Sequence, residues 1–333
     1  MPESGTTSTV VGERLFNTPW SQNVETRIAR YGYEYEMLPS GSDPDDDDYD
    51  PWDPDHDQCN CESCLDNRRE SWREDQPAHG EEVEDLIRHL GPLAYQDIHS
   101  YHCSCNRCNN ISRTDPIMNT QEDSTVGIEF ISRILDYTPD GLEEINRWVD
   151  AMRSWSNRGG WMPDGYESCG NHVHVGCERI HTATRERAHD HIRAVHAAYC
   201  WDDVADGGCG QMRGYNSKPS KTSSHGGWSA AKGYDNTRTI EHRLWNTPLD
   251  PQRLHAHIGI SIAVTRWAVA LAIHDPEFTF WDTPTTFGNH GISDSTWETM
   301  QDQLDDFKTA VVKYIPDWAP PIVKETFDLL TTS

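Results

Sequence analysis

Lysine is scarce in this chain: six of 333 residues, within a Lys and Arg total of 28 set against 55 Asp and Glu. The formal charge of −27 excludes binding to nucleic acid or an anionic membrane through the overall field. The acid excess fits a high-salt cytoplasm or a genome that favours Arg and Asp. Long apolar runs are also lacking. No stretch of about 18 or more uncharged apolar residues occurs, so the sequence predicts no membrane span. Met1 to Ser8 lack a charged start followed by an apolar run, which predicts no secretory leader and a cytoplasmic protein. In that compartment the ten cysteines read as thiols or metal ligands rather than a disulfide framework. No Walker A pattern occurs, so no P-loop is implied.

Hydrophobic residues make up 35% of the chain and 13 residues are Trp, enough to bury a sizeable core. At about 150 residues per domain, the length allows one large domain or two small ones.

The most informative stretch is Cys169 to Cys177, Cys-Gly-Asn-His-Val-His-Val-Gly-Cys. On a strand, alternate side chains share a face. His172 and His174 then face one way, and Val173, Val175 and Cys177 the other. Two imidazoles so placed can be metal ligands, a catalytic pair, phosphate contacts, or two satisfied histidines on a half-buried strand.

Three further strands carry charge at alternate positions. Arg30 to Met37 puts Glu34 and Glu36 on one face with Gly32, and Tyr33, Tyr35 and Met37 on the other. Ser124 to Ser132 places Glu129 in an apolar strand, where a charge needs a partner. Arg238 to Trp245 sets Glu241 and Arg243 opposite Ile240, His242 and Leu244. Each alone fits a solvated face. Together they describe one sheet face with several carboxylates, imidazole and an arginine. Divalent cations would offset the repulsion, and oxygen-rich ligation suits Mg²⁺ or Mn²⁺ better than zinc.

Helices are predicted with Thr138 as cap and Pro139 in the first turn, over 184–201, from Asp250-Pro251 to about His274, over 294–314, and after Pro320-Pro321. The histidines of the second, His189, His191 and His196, read as surface residues. Mixed strands and helices in this order make an α+β protein.

Two segments stand apart. Residues 39–115 hold an Asp-rich tract, then Cys59, Cys61 and Cys64, then Cys103, Cys105 and Cys108 at the same spacing. Such thiolates can close around structural Zn²⁺, with free thiols the alternative. This stretch reads as an insertion with a metal staple and an internal helix over 81–90. Residues 205–237 concentrate Lys218, Lys221 and Lys232 with Arg213. Positive charge collected in one loop of an acidic chain points to anion contact, phosphate above all, or to an ordinary exposed loop.

In chain order, Gly32-Tyr-Glu-Tyr-Glu36, Gly127-Ile-Glu-Phe-Ile-Ser132, Cys169-Gly-Asn-His-Val-His-Val-Gly176 and Thr239-Ile-Glu-His-Arg-Leu-Trp-Asn-Thr-Pro-Leu-Asp250 resemble the amidoligase family of the glutamine synthetase and glutamate–cysteine ligase superfamily. The resemblance covers 30–37 and 117–275. It implies a curved antiparallel sheet of the glutamine synthetase catalytic-domain type, with helices on its convex face and ATP and Mg²⁺ (or Mn²⁺) on its concave face. It implies a single catalytic domain over 30–333 after a flank at 1–29, and ligation of a small-molecule or peptide carboxylate to an amine through an acyl phosphate. Carried over by motif, Glu34, Glu36, Glu129, Glu241 and one histidine of the pair, His172 in preference to His174, hold metal. Arg243 stabilises the transferred phosphoryl group, and Arg213 with the nearby Lys218 and Lys221 holds phosphate or substrate carboxylate. Glu34, Glu241 and Arg243 are the residues on which catalysis would depend. Asn246-Thr247-Pro248 and Arg133 after Ser132 depart from the family pattern. A zinc hydrolase built on His172 and His174, a non-catalytic adaptor built on the cysteine knuckles, and a kinase are the competing expectations.

Overall fold

The computed structural model describes residues 24–37, 84–99, 118–123, 127–158, 170–198, 239–278 and 294–331. Seven strands form one unclosed sheet. They are β1 (Arg30–Met37), β2 (Ala94–His99), β3 (Met118–Asp123), β4 (Gly127–Ser132), β5 (Leu135–Asp136), β6 (Gly170–Gly176) and β7 (Thr239–Asn246). Their spatial order is β2-β3-β4-β1-β6-β7, with β5 also paired to β1. All pairs are antiparallel except β2 with β3. The longer helices among the described residues are α1 (Pro139–Ser156), α2 (Thr182–Ala198), α3 (Pro251–His274), α4 (Asp294–Val312) and α5 (Pro321–Leu330), and residues 24–27 and 84–90 are also helical. The protein is α+β.

Alternation in β1 builds the core side of the sheet. Tyr31, Tyr33, Tyr35 and Met37 are all buried, and Tyr35 and Phe130 of β4 meet Trp148 of α1 edge-on. Helix α1 starts as the sequence predicts: Thr138 Oγ1 accepts from the Gly141 N–H at 3.2 Å, with Pro139 in the first turn. Helix α3 likewise starts at Asp250, whose Oδ1 accepts from the Gln252 N–H at 3.0 Å.

Helix α3 is mostly apolar and is buried on every side from Leu254 to Ala272, the pattern of a central core helix. Strands β6 and β7 and helices α1, α2, α4 and α5 pack against it. By length and composition it could cross a membrane, yet 94% of that window lies inside the protein. The helix is the one the sequence predicts from Asp250-Pro251 to about His274, and Arg266 interrupts its uncharged run. Arg266 is buried and spends its guanidinium on the carbonyls of Glu25, Ile28 and Tyr314, so its charge is solvated by backbone. Helix α5 crosses α3 at Gly259, where a Cβ would lie 2.7 Å from Val323 Cγ1.

One expectation needs correction. His189 and His191 of α2 are buried, not on the surface. Helix α2 lies along α3, a helix buried on every side, and the contact covers a wider face of α2 than a single stripe. His191 packs on Phe278 and Trp267. Of the strand expected over 124–132, β4 covers Gly127–Ser132, and residues 124–126 lie outside the described residues. Strands β2 and β3 escaped notice because Ala-Tyr-Gln-Asp-Ile-His and Met-Asn-Thr-Gln-Glu-Asp have too little apolar alternation. Within 39–115, Leu86, Ile87, Leu90 and Ala94 join the common core. Cys59, Cys61, Cys64, Cys103, Cys105 and Cys108 lie outside the described residues.

Candidate functional site

Register brings the four charged strands together. Glu34 pairs with His172, and Gly32 with His174, across β1 and β6. Glu36 pairs with Glu129 across β1 and β4, and His174 with Glu241 across β6 and β7. Partners in an antiparallel pair share a face. Glu34, Glu36, Glu129, His172, His174 and Glu241 therefore occupy the face opposite the tyrosines and α3.

Glu34 is the centre of this face. Its Oε2 lies 2.8 Å from His172 Nδ1 and its Oε1 2.9 Å from His174 Nε2. Glu241 Oε1 stands 3.7 Å from His172 Nδ1 and 4.0 Å from His174 Nε2. Glu36 Oε1 is 3.4 Å from His172 Nε2, and its other oxygen accepts the Gly170 N–H. Both nitrogens of His172 thus face carboxylates. The site is graded in depth: the His172 side chain is 1% exposed, while that of His174 is 25% exposed. His172 marks the buried end of the face and His174 its more exposed end.

Two sets of potential ligands emerge: Glu34 with Glu129 and His172, and Glu34 with His174 and Glu241. Both contain Glu34. Ligand bonds of about 2.0–2.2 Å bring neighbouring donors on one ion about 3.0–3.4 Å apart, within the range of the separations seen. The donors fit a divalent cation in each set. Each set holds one imidazole and two carboxylates, and both histidines lie beside carboxylates.

Electrostatics keeps Glu34 ionised. Burial alone would raise the Glu34 carboxyl. The charge of His174, hydrogen bonds to His172 and His174, and the charge of His172 outweigh burial and hold it well below the usual carboxylate range. Glu34 is therefore an anion whose stability depends on positive charge beside it.

The opposite side of the same strands is quiet. His242 is pushed down to about 3, first by burial and then by the charge of His174. His257 of α3 is pushed down to about 3, first by burial and then by Arg253. Both are neutral across the physiological range and serve packing and hydrogen bonding. Cys177, at the end of the histidine strand, is fully buried, and burial pushes its thiol up to about 12, which makes it packing, as the sequence predicts. Tyr35 donates its hydroxyl to the Pro248 carbonyl at 2.7 Å, tying β1 to the Asn246–Pro248 segment. Ser132 Oγ accepts the Tyr33 N–H at 2.8 Å, closing β4 onto β1.

Arg243 stands on β7 two residues beyond Glu241; its side chain is outside those described. Arg213, Lys218 and Lys221 also lie outside the described residues. Sequence reasoning overlooked Thr265, Ser261 and His257, which reach from α3 to β6 and β7. Their signal was visible: positions 257, 261 and 265 recur at four-residue spacing as a polar stripe on an apolar helix.

No family model, no curated protein and no solved structure matches this chain. Function therefore rests on the chain's own chemistry.

Proposed function

We propose that this protein is an ATP-dependent ligase that joins a carboxylate to an amine through an acyl phosphate, using Mg²⁺ or Mn²⁺. The observation that supports it best is Glu34, held between His172 and His174 with Glu36, Glu129 and Glu241 on the same face. Divalent cations would offset the repulsion among carboxylates gathered on one face. Bound there, such cations neutralise and orient phosphate oxygens. Glu34, Glu36, Glu129, His172, His174 and Glu241 hold them. Arg243 stabilises charge on the transferred phosphoryl group, and Arg213, Lys218 and Lys221 hold phosphate or the substrate carboxylate. The substrates are a small-molecule or peptide carboxylate and an amine.

In this proposal the unclosed α+β sheet is of the glutamine synthetase catalytic-domain type, in one catalytic domain over 30–333. The six cysteines of the 39–115 insertion bind structural Zn²⁺, and the protein works in the cytoplasm without nucleic acid or membrane. The test is ADP release dependent on the amine, screened over paired acids and amines, with mass spectrometry of the product. Glu34→Gln and Arg243→Ala abolish it; full activity in either variant overturns the site assignment.

A zinc hydrolase is the second reading, favoured by the matched composition of the two ligand sets. Each has one imidazole and two carboxylates around a shared Glu34, a donor set that zinc also accepts. Its signature is chelator-sensitive hydrolysis without nucleotide.

A further inference from the structure

Strand β7 does not pair evenly with β6. Asn171 faces Trp245 and Val173 faces His242. Between those pairs β6 has one residue, His172, and β7 has two, Arg243 and Leu244. The extra residue is a bulge. On an even strand Glu241 and Trp245, four positions apart, would share a face. Here they part. Glu241 turns to His174 and His172, while Trp245 Nε1 donates to Ser261 Oγ of α3 at 2.9 Å.

A bulge in a ladder needs something to hold it in place, because a slip of one residue reverses every side chain. Helix α3 grips this one from both sides. His242 Nε2 is hydrogen-bonded to Thr265 Oγ1 at 2.8 Å, just before the bulge. The Trp245–Ser261 bond lies just after it. Residues 261 and 265 are one helical turn apart. One turn earlier, His257 stacks on Trp245, with ring centroids 4.5 Å apart and planes at 10°, and its Nδ1 lies 3.4 Å from Asn171 Nδ2. Thr265 and Ser261 are fully buried. Buried hydroxyls in an apolar helix are costly unless paired, and these two pair with the residues that flank the bulge.

We propose that Thr265 and Ser261 are positioning residues for the cation face: by gripping His242 and Trp245 they fix the bulge at 243–244 and so keep Glu241 against His174. This rests on the reading of that face as a divalent-cation site. The bulge also sets where position 243 leaves the strand, so the same grip governs the backbone beneath Arg243.

The test uses the full chain, with Mn²⁺ as probe, followed by calorimetry and electron paramagnetic resonance. It is carried out in a Glu129→Gln background, which leaves the Glu34, His174 and Glu241 set as the centre observed. Adding Thr265→Val and Ser261→Ala is expected to weaken Mn²⁺ binding about tenfold or more, as loss of outer support does at other metal sites. Thr265→Val alone gives an intermediate loss and serves if the combined variant does not fold. Thr265→Ser restores affinity to within about twofold, because the hydroxyl returns. Ile262→Val, on the same helix, lowers the melting temperature without changing Mn²⁺ affinity. Unchanged affinity in Thr265→Val, or an equal loss in Ile262→Val, overturns the positioning role. Absence of Mn²⁺ binding by the unmodified chain overturns the cation reading, and the positioning role with it.

Discussion

Glu34 and His172 stand directly opposite each other on β1 and β6, with 2.8 Å between carboxylate oxygen and imidazole Nδ1. The second oxygen of the same carboxylate reaches His174. One carboxylate thus joins the two imidazoles, and each imidazole belongs to a different ligand set.

The first prediction follows from that sharing. Mn²⁺ titrated into metal-free protein should reach two ions per chain, read by calorimetry. Glu129→Gln and Glu241→Gln should each leave one ion. Glu34→Gln should leave neither site tight, because it removes a ligand from both. Saturating metal at about one hundred times its dissociation constant should add about 3 kcal/mol of stability per site, which a chelator removes. A Glu34→Gln variant that still binds two ions would overturn the shared arrangement.

The second concerns pH. His191 is pushed down to about 4, first by burial and then by the Arg187 charge, with Asp275 opposing. The unfolded chain binds a proton near 6.5 and the native state does not. Stability is thus whole above about pH 6.5 and falls as the pH drops toward 4, by on the order of 3 kcal/mol for this residue. His257 acts in the same direction. Urea midpoints between pH 7 and 4.5 should decline less in His191→Phe, a ring that its neighbours Phe278 and Trp267 can accept. An unchanged slope would show that His191 is not neutral in the native state.

The third concerns the α3–α5 crossing. A methyl at Gly259 would come within 2.7 Å of Val323 Cγ1 and 2.8 Å of the Tyr137 hydroxyl oxygen. Gly259→Ala should cost about 1–3 kcal/mol by overpacking. Combined with Val323→Ala, the total loss should be smaller than the sum of the two single losses. Additive losses in a denaturation cycle would place the clash elsewhere.

The fourth concerns Cys177. With its thiol pushed up to about 12, about one molecule in ten thousand is thiolate at pH 8. Iodoacetamide followed by peptide mass spectrometry should label Cys177 in urea and leave it untouched in native protein. Rapid native labelling would contradict its burial.

The strands that bear the candidate site were legible because alternation is a local property. Tyr31, Tyr33 and Tyr35 against Glu34 and Glu36 announce two faces before any fold is known. Cap residues Thr138 and Asp250 were legible for the same reason: each is read from itself and the next few residues. What stayed hidden depends on distant partners. His189 and His191 look like surface residues until α3 lies beside them. Strands β2 and β3 are too polar to announce themselves and are strands because each pairs with a neighbour. The bulge in β7 is invisible in the local pattern, since Glu241-His-Arg-Leu-Trp245 alternates acceptably with or without it. Only the hydroxyls of Ser261 and Thr265 mark it.

Helix α3 has a consequence for how the chain reaches this fold. It is as apolar as a membrane span, and two of the helices that cover it, α4 and α5, follow it in the chain. During synthesis the segment 251–274 emerges before its cover exists. Its fate then depends on timing: docking onto β6, β7 and α2, which are already made, competes with capture by chaperones, membranes or other copies. Substitutions that slow the closing of α4 and α5 should lower the yield of soluble protein far more than they lower its melting temperature.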